Sequence, residues 1–149
     1  MSNAEAFLSA KEEKQIISAI KEVEKNTSGE IRIHIDEVSE TDVLKRAKQA
    51  FISLEMDKTK NRNGVLFYVS VKDREFAICG DIGIDKVTPS DFWEEIKDTV
   101  IDHFKRSEFV DGLVKGIEMA SKSLEKYFPY EDDDIDELPD EISYEGKAK

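Results

Sequence analysis

Ile16, Ile17, Ile20 and Val23 recur at three- and four-residue spacing behind Ser9-Ala10-Lys11-Glu12, a serine placed three positions ahead of a glutamate. That pairing caps a helix N-terminus, and the spacing lays one apolar stripe along it, so a helix is predicted over about 10–25, ended by Asn26-Thr27-Ser28-Gly29. The pattern then changes period. Ile31, Ile33 and Ile35 alternate with Glu30, Arg32, His34 and Asp36, as in a strand with one buried and one solvated face. Ser39-Glu40-Thr41-Asp42 opens a second helix, running to about 54, with Val43, Leu44, Ala47, Phe51 and Leu54 on its apolar side. A polar loop, 57–64, leads into Val65-Leu66-Phe67-Tyr68-Val69-Ser70-Val71, apolar at nearly every position. Such a run reads as a strand buried on both faces, and a strand–helix–strand link of this length makes the two strands parallel.

Beyond it, Lys72-Asp73-Arg74 is too short for a crossover, so Phe76-Ala77-Ile78-Cys79 must return antiparallel and the sheet is mixed. After a loop over 80–87, Thr88-Pro89-Ser90-Asp91 supplies a capping hydroxyl, a proline at the first helical position and an early acid, with Phe92, Trp93, Ile96, Val100 and Phe104 following as a buried face. A last helix over about 107–127 carries Phe109, Leu113, Ile117, Ala120 and Leu124, and its Gly112 and Gly116, one turn apart, permit close packing against another helix. The predicted order is α-β-α-β-β-α-α, an α/β three-layer αβα sandwich whose small mixed sheet has helices on both faces. The chain divides into an N-terminal segment, 1–7, in which Ser2-Asn3-Ala4 has the look of a cloning remnant, one domain over 8–130, and a tail over 131–149.

Charge sharpens that division. The net charge is −12, and from Glu131 onward nine acids face only Lys147 and Lys149, which leaves about −5 for the body. With Pro139 and few apolar residues, the tail reads as disordered or loosely draped. An acidic chain does not bind nucleic acid or anionic lipid through clustered cations, and no window is apolar for long enough to insert into a membrane. A lone cysteine, Cys79, and the lack of a secretory signal pattern favour the cytoplasm.

Candidate chemistry follows from strand direction. The third strand delivers its loop to the end of the sheet where the first two begin, so Asp81 and Asp85 from the loop, Asp91 at the helix start, Glu30, Arg62 and Asn63 should gather there. Carboxylates of Asp81, Asp85, Asp91 and Glu30, with carbonyls around Gly80 and Gly83, suit a hard divalent cation, calcium foremost, and Arg62 with Asn63 suits an anion. The bland alternative is a solvated turn beside a capped helix. Asp132, Asp134 and Asp136 imitate the start of an EF-hand loop, but Glu137 stands where its glycine belongs and Ser143 where its bidentate acid belongs. Zinc has no paired ligands, since His34, His103 and Cys79 are far apart in sequence. Glu30, Arg32, His34 and Asp36 are either an acid–base row or, more simply, an exposed salt-bridged face. No nucleophile elbow and no phosphate-cradling loop is present.

Asn63-Gly64-Val65-Leu66, Asp73-Arg74, Gly83-Ile84-Asp85, and Ala47 with Phe51 before them together resemble the TPM domain, a family that includes a thylakoid lumen acid phosphatase, photosystem II repair factors and many bacterial proteins. The resemblance spans about 8–128 and implies an αβα sandwich, divalent-cation binding near the glycine loop and, in some members, calcium-associated phosphatase activity. Two residues separate Gly80 from Gly83 where the family usually has one, and Thr88-Pro89-Ser90 lengthens the helix approach. Many relatives carry a signal peptide and a membrane helix that do not appear in this sequence. The expectation is a calcium-binding accessory or interaction module with a possible protein partner, and the alternative is a metal-dependent acid phosphatase.

Overall fold

The computed structural model describes residues 7–130 and 142–144. In chain order it contains α1 (Ala10–Glu24), β1 (Glu30–Asp36), α2 (Val43–Ser53), a 3-10 turn (Met56–Lys58), β2 (Gly64–Ser70), β3 (Glu75–Gly80), a single-turn α3 (Ile82–Asp85), α4 (Phe92–Lys105), α5 (Phe109–Tyr127) and β4 (Ile142–Tyr144). The four strands form one mixed sheet in the order β3-β2-β1-β4. β1 and β2 are parallel, with Glu30 opposite Gly64 and Asp36 opposite Ser70, and β3 returns antiparallel to β2. This is the three-layer arrangement that the periodicities predict.

The two faces of the sheet bury different chemistry. Side chains alternate across a strand, so Ile31, Ile33 and Ile35 join Val65, Phe67, Val69, Phe76 and Ile78 against α1, α4 and α5 in the larger core. Leu66, Tyr68 and Ala77 face the other way, where Ala47, Ala50 and Phe51 of α2 and Met56 cover them. Ser9 and Glu12 make the reciprocal capping bonds that start α1. The glycine pair of α5 does allow close packing, because a Cβ at Gly112 would stand 2.8 Å from the His103 Cβ and one at Gly116 would stand 2.8 Å from both Phe67 and Val100.

Three expectations are corrected. β1 is buried at all seven positions rather than half exposed. Its polar face lies under α2, where its charges find partners, and its outer edge is covered. The cover comes from the tail: residues 142–144, expected to be disordered, pair with β1 in parallel, Ile33 opposite Ile142 and Ile35 opposite Tyr144. The other tail residues, including Asp132, Asp134 and Asp136, lie outside the described residues. Finally, α4 starts at Phe92 with no side-chain cap, because the Thr88 hydroxyl donates backwards to the Ile84 carbonyl at 3.0 Å and closes α3 instead.

Candidate functional site

The first site is the end of the sheet where β1 and β2 begin. Asp81 follows β3 directly, and its N–H donates to the Gly64 carbonyl at 3.0 Å, which holds it one position beyond the ladder and beside the start of β2. Its carboxylate caps α3 through the Ile82 N–H at 2.7 Å. The same carboxylate receives two bonds from the Arg62 guanidinium, Nε at 2.7 Å and Nη2 at 2.9 Å. Asp81 is 4% exposed while the Arg62 side chain is 42% exposed, so a buried anion is held by a cation that reaches in from solvent. The hydrogen bond to Asp81 raises the Arg62 pKa, and the charges of Asp81 and Asp57 add to the effect.

Backbone geometry tightens this corner. Arg62 has φ 50°, in the left-handed region that non-glycine residues rarely adopt. The Gly83 N–H donates to the Arg62 carbonyl at 2.9 Å. A Cβ at Gly83 would lie 2.3 Å from the Asn61 carbonyl oxygen and 2.5 Å from that of Arg62, so only glycine fits there. Asp57, in the preceding 3-10 turn, has a buried Oδ1 with no hydrogen-bond partner. Nothing in the polar run around Asp57 distinguishes it in the sequence; only the chain's return past Arg62 does.

The other expected residues are less concentrated. Glu30 is buried at the mouth of β1, its N–H donating to the Asn63 carbonyl at 3.3 Å. Asn63 is buried, and its side-chain amide donates to Ser28 Oγ at 3.4 Å. Asp85 turns to the Trp93 indole N–H, 2.7 Å away, and Asp91 is exposed at the start of α4. Thus the strand directions bring Glu30, Arg62, Asn63 and Asp81 to one end, and the helix turn leads Asp85 and Asp91 off along α4. Among the described residues, no three His, Cys, Asp or Glu side chains converge closely enough to hold a metal ion.

A second polar assembly lies under α2. Asp36, 2% exposed, accepts from Arg46 Nε at 2.8 Å, from the Tyr68 hydroxyl, and from His34 Nε2 at 2.8 Å. Burial alone would raise the Asp36 carboxyl, but the bonds from His34 and Tyr68 and the positive charges beside it outweigh burial and hold its pKa below the usual 3.8. Tyr68 moves the opposite way: burial first, and then the bond to Asp36, push its hydroxyl well above the ordinary tyrosine range. His34 Nδ1 lies 2.6 Å from Ser143 Oγ of β4. The alternation in β1 marks these side chains as one row, but only the partners on β2, α2 and β4 show that the row is buried. His103 is spent on the Thr99 carbonyl at 2.9 Å. Cys79 is a free thiol that burial pushes up to about 11.

The fold and the first site define a small αβα domain whose glycine loop turns a buried aspartate onto an arginine from the approach to β2. More particularly, the chain belongs to the TPM domain family, whose sequence model matches residues 1–123. Among solved structures it is similar to the BA42 protein of Bizionia argentinensis, at 53% identity and a TM-score of 0.86 over 93% of this chain and 95% of that one. The N-terminal domain of the cg2496 protein of Corynebacterium glutamicum, at 13% identity and a TM-score of 0.63 over 78% of this chain and 74% of that one, shares the fold. So does the N-terminal domain of a P. gingivalis protein, at 21% identity and a TM-score of 0.59 over 82% of this chain and 79% of that one. No curated protein matches the chain. No helix among the described residues is long and apolar enough to cross a membrane.

Proposed function

We propose that this TPM domain binds a divalent cation of the calcium class at the Asp81 corner and acts as an accessory module whose protein contacts depend on that occupancy. The observation that carries the reading is the buried Asp81 carboxylate held by a half-exposed guanidinium. Arg62 can leave toward water without crossing the core, and its departure would strand an anion that a cation can neutralise. The donor chemistry fits a hard ion: Asp81 and Asp57 carboxylates and the Asn61 carbonyl are all oxygens, and the Asp57 Oδ1 already lacks a partner. In this reading Arg62 is a stand-in for the cation, so the two compete for one carboxylate.

Competition makes a signed expectation. Titrating calcium into the wild type, Asp81→Asn and Arg62→Gln, followed by calorimetry and by amide shifts in NMR, should show binding in the wild type, loss in Asp81→Asn and tighter binding in Arg62→Gln. Equal binding by wild type and Asp81→Asn, or none by wild type and Arg62→Gln alike, overturns it. Acid phosphatase activity is the weaker reading, since both bonding nitrogens of Arg62 face Asp81 rather than a site for phosphate.

A further inference from the structure

The His34 assembly is not used by the cation reading, and it ends on a residue from the far end of the chain. Nε2 of His34 faces the Asp36 carboxylate at 2.8 Å, which fixes the proton on that nitrogen. Nδ1 is then aimed at the sheet edge, 2.6 Å from the Ser143 hydroxyl, which can donate to a neutral ring or accept from a protonated one while it donates to the Ile33 carbonyl at 3.4 Å. His34 is 3% exposed, so an incoming strand without a hydroxyl at this position would leave a buried ring nitrogen unmatched in either role. On either side of Ser143, Ile142 packs into the larger core at 8% exposure and Tyr144 packs against it. The edge of β1 therefore selects three features in register: an apolar residue opposite Ile33, a hydroxyl opposite His34 and an aromatic opposite Ile35.

We propose that the outer edge of β1 is a strand-acceptor site keyed by His34, filled in each chain by its own residues 142–144 and open to the same residues of a second copy. The occupant whose fit is on view is this segment, so an identical chain offers matched chemistry. The attachment is short, pairing three of the seven residues of β1. Eleven residues, 131–141, separate β4 from the last described residue of the body. A link of that length holds its own strand at an effective concentration in the millimolar range, so a second copy competes when the chain is concentrated or when its own strand is unseated. Pairing of backbone groups along a sheet edge is a general mode of recognition, and here the buried histidine adds selection.

Four variants of the whole chain test this. In 15N-labelled Ile142→Asp the chain's own strand should be unable to seat, so the amides of Ile33, His34 and Ile35 should shift from their wild-type positions while the rest of the spectrum stays folded. Adding unlabelled His34→Ala, which keeps residues 142–144 but lacks the histidine that retains them, should return those three amides toward wild-type positions. A His34→Ala/Ser143→Ala donor should do so at least about fivefold more weakly, the loss of one hydrogen bond, and a His34→Ala/Ser143→Thr donor should recover the effect. A synthetic peptide covering residues 140–146 serves as a donor that needs no fold. Wild-type edge amides in Ile142→Asp, no response to donor chain and peptide up to about the millimolar effective concentration, or equal response to the serine and alanine donors would overturn the proposal.

Discussion

Asp36 shows most directly how a charged residue survives in this core. A carboxylate taken out of water is costly unless it is paired and fully hydrogen-bonded, and Asp36 receives donors from three elements: His34 beside it on β1, Tyr68 on β2 and Arg46 on α2. Removing one donor leaves the anion in place and under-satisfied. Tyr68→Phe, which keeps the ring and removes only the hydroxyl, should therefore cost about 1–3 kcal/mol by urea unfolding, more than a surface hydroxyl would. A cost within about 0.5 kcal/mol, the usual range for surface changes, would show that the bond adds little. Asp81 is held differently, by one partly exposed side chain and a helix-capping N–H, and that difference is why the two buried aspartates are assigned different roles.

At the scale of elements, glycine controls two joints. Gly83 lets α3 turn against the Asn61 and Arg62 carbonyls, and the short helix places Asp81 and Asp85 on diverging partners. Gly116 lets α5 settle against α4 and β2 at once, since its Cα faces Phe67 and Val100. Alanine has the higher helix propensity, by about 1 kcal/mol, so Gly116→Ala would stabilise an isolated helix. In this packed position the added methyl should win and destabilise the protein by about 1–3 kcal/mol, read as a fall in melting temperature. An unchanged or raised melting temperature would mean that the three elements separate at little cost. That another helix could pack closely on α5 was legible in the sequence from the spacing of Gly112 and Gly116; that it is α4, with β2 sharing the contact at Gly116, was not. The short α3 was not legible either, because Gly80 to Val87 carries turn residues and helix formers together, and the Asp81 cap, the Gly83 bond to the Arg62 carbonyl and the Thr88 bond back to Ile84 decide between them.

At the scale of the whole molecule, acid should act through two carboxylates that tie together segments distant in the chain. Asp36 joins α2 to the sheet, and Asp73 in the hairpin accepts from the Ser39 N–H at 2.9 Å, the Ser70 hydroxyl at 2.7 Å and the Ser39 hydroxyl at 3.0 Å. The backbone bond from Ser39 is the leading cause of Asp73's lowered pKa, and both aspartates titrate below 3.8 in the folded state. A carboxylate with a depressed folded pKa stabilises above its unfolded pKa, near 4, and loses that contribution as pH falls through the folded value. Melting temperature should thus fall steeply below about pH 4, and Asp36→Asn, though less stable at neutral pH, should show a shallower decline; an identical decline would remove Asp36 from the account. Periodicity and turn length by themselves determined the order of α1, β1, α2, β2, β3, α4 and α5, the parallel and antiparallel pairings and the end of the sheet where Glu30, Arg62 and Asp81 meet, because these depend on side-chain alternation and on how far a short link can reach. The sequence could not show that the polar face of β1 is buried or that Ile142-Ser143-Tyr144 closes its edge. Local pattern records that a face is polar, but its burial depends on partners distant in the chain, Tyr68, Arg46 and Ser143, which the folded structure alone brings to His34 and Asp36.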